Sequence, residues 1–212
     1  MTAGLEFFTN PMSRGQIVRW MLEEVGEPYE THLLDYKSSM KAADYLAINP
    51  MGKVPAIRHR GVVVTEAAAI CAYLADAFPA AGLAPPVEQR GDYYRWMFFA
   101  SGPVEAAFTH KSAGFDPTPE RQAMVGYGNF DLTIDTLEKA VSANDYIAGG
   151  KFSAADLYVG SQIGFMLQFG LLQPRAAFTD YVARVTDRPA YVRAKKIDAD
   201  LIAAMTPPAG GV

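Results

Sequence analysis

The sequence predicts an α/β layer domain followed by an all-helical domain, and three observations carry that prediction. In residues 1–80, short apolar runs alternate with helically spaced ones in the order β-α-β-(α)-β-β-α. Pro79–Val87, reading PAAGLAPPV, then concentrates proline, glycine and alanine between two helical stretches, which marks a boundary. Beyond it, residues 88–212 carry only helical patterns. Hydrophobic residues make up 50% of the 212 and charged ones 20%, the balance of an ordinary globular chain.

Leu5–Phe8 is an apolar run that stops at Thr9-Asn10-Pro11, the composition of a strand meeting a turn. Val18, Met21, Leu22 and Val25 recur at helical spacing, with Ser13 as cap and Gly26 and Pro28 as terminators. Tyr29–Leu34 reads as a second strand, and the lysine-bearing segment 35–47 as a short irregular helix. Ala56–His59 and Val62–Thr65 are β-prone runs separated by Arg60-Gly61, the length of a two-residue hairpin loop. Thr65 is placed to cap the next helix, whose apolar face holds Ala67, Ile70, Cys71, Leu74 and Phe78.

In the second domain, Glu88–Phe115 predicts one long helix kinked or broken near Pro103, and Glu120–Ala140 another. Ser153-Ala-Ala-Asp156 is a capping box, and the nearly uncharged LYVGSQIGFMLQFG behind it is expected at the domain's buried centre. Residues 177–187 and 189–204 close the bundle, and TPPAGGV is expected as a loose tail. Asp156 is expected in a structural role and Cys71 as an inert buried thiol.

The net charge of -4, without any basic block, argues against nucleic acid. One cysteine excludes an internal disulfide, and three scattered histidines show no metal-ligand spacing. MTAGLEFF lacks a charged region ahead of a long apolar one, and no apolar run reaches about 18 residues. The expectation is therefore a cytoplasmic protein with no signal peptide and no membrane span.

Chemistry concentrates in Asn49–Ile70, NPMGKVPAIRHRGVVVTEAAAI. Pro55 forces Val54 out of the helical region, so Val54 offers its main-chain polar groups to an extended peptide. Glu66 and Ala67 open a helix whose free amides and positive dipole end can hold a carboxylate. Glu66 alternatively serves only to stabilise its helix, and Lys53 to solvate the surface.

These residues also carry a family resemblance. NPMGKVPAI followed by TEAAAICAYLADAFP resembles the glutathione site of cytosolic glutathione S-transferases. FFTNPMSRGQIVRWMLEEVG looks like their first strand and helix, and FSAADLYVGSQIGF like a capping-box helix of their second domain. The resemblance implies a thioredoxin-like first domain, a helical second domain, a homodimer and glutathione as cosubstrate. It further implies a cis Val54-Pro55 bond, with Val54 pairing the cysteinyl unit of glutathione. The family's usual Glu-Ser pair stands here as Glu66-Ala67, without the hydroxyl that would meet the γ-glutamyl carboxylate.

Catalysis on glutathione needs a thiolate, whereas a free thiol with a pKa of about 8.5 is mostly protonated at neutral pH. Ser13 sits where serine-type members place the hydroxyl that donates to sulfur; its alternative role is a plain helix cap. Arg14 is the second candidate, by Coulomb attraction, and Thr9 and Asn10 the third. No tyrosine occurs near the end of the first strand. Lys53, and behind it Lys37 and Lys41, are candidate cations for the peptide's acidic ends. Met12, Tyr94, Phe98 and Phe108 are candidates to line an apolar electrophile site, with core or interface packing as the alternative. The resemblance implies conjugation of the glutathione sulfur to a hydrophobic electrophile. Open alternatives are a glutathione-dependent peroxidase, dehalogenase or isomerase on the same fold, or a binding module without turnover.

Overall fold

The computed structural model describes residues 4–205 and divides them into two compact units. The tail TPPAGGV lies outside the described residues. One unit runs to Ala81 and takes in the chain from Arg188 onward; the other is Gly82–Asp187.

In the first unit, β1 (Leu5–Thr9), β2 (Glu30–Leu33), β3 (Ala56–His59) and β4 (Val62–Thr65) form one sheet ordered β2-β1-β3-β4. β1 and β2 are parallel, while β3 is antiparallel to both β1 and β4. With α1 (Gly15–Val25), the four-residue α2 (Ala43–Leu46) and α3 (Ala67–Ala77), this is a thioredoxin-like unit. Arg60 and Gly61 both take positive φ, 50° and 82°, the signature of a primed turn whose twist suits a two-residue hairpin. Alternation along β1 splits the core. Phe8 packs with Met40, Tyr45 and Ala56 on one face of the sheet. Leu5 and Phe7 point to the other, where the guanidinium of Arg19 on α1 lies 4.9 Å from the Phe7 ring.

α9 (Pro189–Met205) belongs to this first unit, whereas the sequence pattern placed it in the helical bundle. The cause is α1, which carries its partners. Arg19 pairs with Asp198 at 3.2 Å, Glu24 with Arg188 at 2.6 Å, and Trp20 stacks edge-on against Tyr191. Hydrophobic spacing alone does not reveal pairings this distant in sequence.

The second unit holds α4 (Gly91–Phe99), α5 (Glu105–Ser112), α6 (Phe130–Ala143), α7 (Ala154–Gln168) and α8 (Ala176–Thr186). Between α4 and α5, Ala100–Val104 forms a π-helical turn around Pro103, so the predicted distortion is a widened turn. α6 starts ten residues later than its sequence pattern, because Gly126 and Gly128 break the chain and Asn129 caps the new start by accepting from the Leu132 N–H at 2.8 Å. Residues 119–124 form only a 3₁₀ turn. α7 is buried along most of its length, as its lack of charge predicts. The fully buried Asp156 accepts from the N–H of Ser153 at 2.9 Å and of Ile147 at 2.6 Å, and from the hydroxyls of Ser153 and Tyr181. Among the described residues, no helix is long and apolar enough to cross a membrane.

Candidate functional site

Strand register gathers the site. Phe8 lies opposite Ala56, and Ala56 opposite Thr65. The exit of β1, the entry to β3 and the exit of β4 therefore share one end of the sheet, which brings residues 9–14, 54–55 and 66–67 together.

The Val54-Pro55 peptide is cis, in agreement with the family resemblance. Val54 turns its side chain onto the Phe8, Met40, Tyr45 and Ala56 cluster. No hydrogen bond among the described residues occupies its main-chain N–H or C=O. Such groups beside a core are costly unless a partner supplies the bonds. Just upstream, the Lys53 carbonyl accepts from Tyr45 Oη and Asn49 Nδ2, which fixes the approach to the edge, while the Lys53 side chain is exposed. Burial raises the Tyr45 phenol to about 12, so it stays a donor at any physiological pH. Lys41 donates its ammonium to the Gly52 carbonyl at 2.8 Å and works as a brace for this loop; Lys37 is exposed.

At β4's exit Thr65 does not cap the helix, contrary to the sequence expectation. Thr65 ends the strand, and Glu66 occupies the cap position with φ 66° and ψ 117° and no side-chain hydrogen bond to the helix. A non-glycine residue there is strained, and such backbone clusters at ligand sites. Among the described residues, the first amides of α3 thus have no side-chain acceptor, although Ala67 and Ala68 are each only 8% exposed. An anion fits that end of the helix.

At β1's exit, Ser13 Oγ donates to the Asn10 carbonyl at 2.6 Å and accepts from the Gly15 N–H at 2.9 Å. The hydroxyl therefore does serve the helix start, although α1 begins at Gly15 and the exposed Arg14 occupies the cap position. Gly15 is required by close approach, since a Cβ there would fall 1.9 Å from Thr9 Oγ1. Thr9 and Asn10 are each 1% exposed, which makes them framework and not groups that meet a ligand. Met12, 59% exposed, forms an apolar lip beside Ser13, and the Tyr36 hydroxyl donates to its carbonyl at 3.2 Å.

Of the residues considered for an apolar site, Phe108 is core, while Tyr94 and Phe98 stand exposed on α4. Burial pushes the Cys71 thiol well up, so it is no nucleophile. Among the described residues there is no cluster of acidic, histidine or cysteine side chains fit for a metal.

Sequence reasoning considered Asn10 only as a third candidate to meet the thiol and missed the role that it and Asn49 share in organising these loops. The signal was present: Asn-Pro-Met occurs twice, at 10–12 and 49–51. In each copy the Asn Oδ1 accepts from the Met N–H, at 3.0 and 3.1 Å. In each the Asn carbonyl accepts from the N–H three residues on, of Ser13 or Gly52, and Nδ2 donates at 2.8 Å to a carbonyl elsewhere, of Leu34 or Lys53. An asparagine before proline readily starts such a turn.

A sheet of order β2-β1-β3-β4 with a cis-proline entry, followed by a helical unit, defines a thioredoxin-like fold carrying an all-α extension. A profile of the glutathione S-transferase N-terminal domain matches residues 12–77. Protein LigF from Sphingobium sp. (strain NBRC 103272 / SYK-6) is 30% identical over 200 residues, 76% of each chain. Glutathione S-transferase A from Pleuronectes platessa is 29% identical over 188 residues, 80% of each. The solved structure of a sphingomonad glutathione S-transferase complexed with glutathione aligns with a TM-score of 0.73 at 28% identity, covering 92% of this chain and 98% of that one. The chain belongs to the glutathione S-transferase family.

Proposed function

We propose that the protein binds glutathione at the 54–55, 66–67 and 13–14 end of the sheet and conjugates its thiolate to a hydrophobic electrophile. The unoccupied main chain of Val54 next to the uncapped α3 carries this reading, because a short peptide with a carboxylate satisfies both. The Val54 N–H and C=O pair with the cysteinyl unit, and the amides at Ala67 receive the γ-glutamyl carboxylate. Glu66 faces the ammonium of the same residue, and the Lys53 cation meets the peptide's other acidic end.

Ser13 activates the sulfur. Its proton leaves a neutral acceptor, the Asn10 carbonyl, for an anion. A neutral hydrogen bond contributes about 0.5–1.5 kcal/mol net and one to a charged group about 1.5–3, so the exchange favours the thiolate. The α1 N-terminus adds to the same effect. Arg14 is the second candidate for this role, by Coulomb attraction. The apolar lip at Met12 supports a hydrophobic second substrate.

Exposed apolar side chains support a homodimer: Val62 and Val63 on the edge strand β4 in one unit, and Tyr94 and Phe98 on α4 in the other. A cytoplasmic setting fits a cosubstrate that must stay reduced.

The test is Ser13→Ala. Turnover with a haloaromatic substrate is expected to drop at least about tenfold while glutathione still binds. Unchanged turnover removes Ser13 and promotes Arg14. A second reading, binding without turnover, is favoured by Ala67, which lacks the family's hydroxyl, and predicts saturable glutathione binding with no rate enhancement.

A further inference from the structure

Resting on the glutathione reading above, we propose that Asn10 is a positioning residue for thiol activation, acting through Ser13. Its twin Asn49 positions the peptide edge instead.

Asn10 is 1% exposed and spends its carboxamide in two directions: Nδ2 to the Leu34 carbonyl beyond β2, Oδ1 to the Met12 N–H within the turn. Both bonds need this amide orientation, since a carbonyl accepts and an N–H donates. With the side chain pinned, the Asn10 carbonyl receives both the Ser13 N–H at 3.1 Å and the Ser13 hydroxyl at 2.6 Å. The Gly15 N–H holds the same hydroxyl oxygen from the other side at 2.9 Å. The Gly15 bond holds the oxygen, and the Ser13 N–H bond to the Asn10 carbonyl holds the residue, when the hydroxyl proton swings from carbonyl to sulfur. That is preorganisation of a donor, and it depends on Asn10 and not on any contact between Asn10 and ligand.

Asn49, 5% exposed, repeats the geometry with a different outlet. Its Nδ2 holds the Lys53 carbonyl, the last acceptor before Val54, so its effect falls on peptide binding. Two identical tripeptides therefore divide the work between thiol and edge.

The experiment compares Asn10→Ala, Asn49→Ala, Ser13→Ala and the Asn10→Ala/Ser13→Ala double variant in the full chain. Two quantities are read. One is the pKa of bound glutathione's thiol, from the ultraviolet absorbance of the thiolate. The other is the affinity for S-methylglutathione, which has no thiol proton. Asn10→Ala is expected to raise the thiol pKa by about one unit, tenfold less thiolate at a given pH, with S-methylglutathione affinity unchanged. The double variant should match Ser13→Ala alone. Asn49→Ala should weaken S-methylglutathione about tenfold and leave the thiol pKa in place. The proposal is overturned if Asn10→Ala leaves the thiol unmoved, if its shift persists in the Ser13→Ala background, or if both asparagine variants change the same quantity. Where an alanine variant does not fold, Asn→Ser stands in: its hydroxyl still accepts from the Met N–H but cannot reach the second carbonyl. Wild-type protein that binds neither ligand would overturn the glutathione reading itself; normal binding with an insensitive thiol overturns the role of Asn10 only.

Discussion

Ala67 is the residue at which this chain departs from its family's pattern, and it allows the site to be tested by a gain. It is the first residue of α3 and 8% exposed, so a hydroxyl there would meet whatever anion the helix amides hold. Ala67→Ser should tighten glutathione binding about tenfold, the worth of one hydrogen bond to a charge. Calorimetry measures it, and unchanged affinity would remove the γ-glutamyl carboxylate from that end of the helix. The same scale shows what could be read in advance. Val54, Pro55 and Glu66 announce themselves by residue type, because proline constrains its own backbone and that of the residue before it, and an acid beside a helix start complements the dipole. The positive φ of Glu66 and the double duty of the Ser13 hydroxyl do not, since both depend on neighbours that only the sheet register supplies.

Among the elements, α7 starts on the buried carboxylate of Asp156. Asp156 receives four donors, and its loss leaves the Ser153 and Ile147 N–H groups and the Tyr181 hydroxyl without an acceptor. Asp156→Ala should cost at least about 3 kcal/mol in urea unfolding. Burial nevertheless outweighs these bonds and holds the Asp156 carboxyl above its ordinary value. Raised in the folded state, it favours folding most below the unfolded pKa, and that contribution fades as pH rises through the folded one. Asp156→Asn should flatten this part of the stability profile on the acid side. The capping box was legible because its signal lies within four residues. The start of α6 was not: the expected helix ran back to Glu120, whereas Gly126, Gly128 and the Asn129 cap place the boundary.

At the scale of the whole molecule, the order of elements in the first unit was readable, and so was the buried centre of the second. The membership of α9 was not, because its ties to α1 are side-chain pairings across some 170 residues, such as Glu23 with Arg193 and Glu24 with Arg188. Self-association belongs to this scale as well. Phe98 is 68% exposed on α4, and its ring lies beside that of the exposed Tyr94, so the two make an apolar patch. Phe98→Glu should shift the proposed homodimer to a monomer in sedimentation velocity without unfolding it, whereas an unchanged dimer would place the interface elsewhere.

The central claim is that the cis-proline edge and the bare end of α3 form one dock for glutathione. Titration of the purified protein with millimolar glutathione in a calorimeter tests it most directly. The geometry predicts a saturable heat that is lost on Glu66→Ala; no binding at millimolar ligand would contradict it.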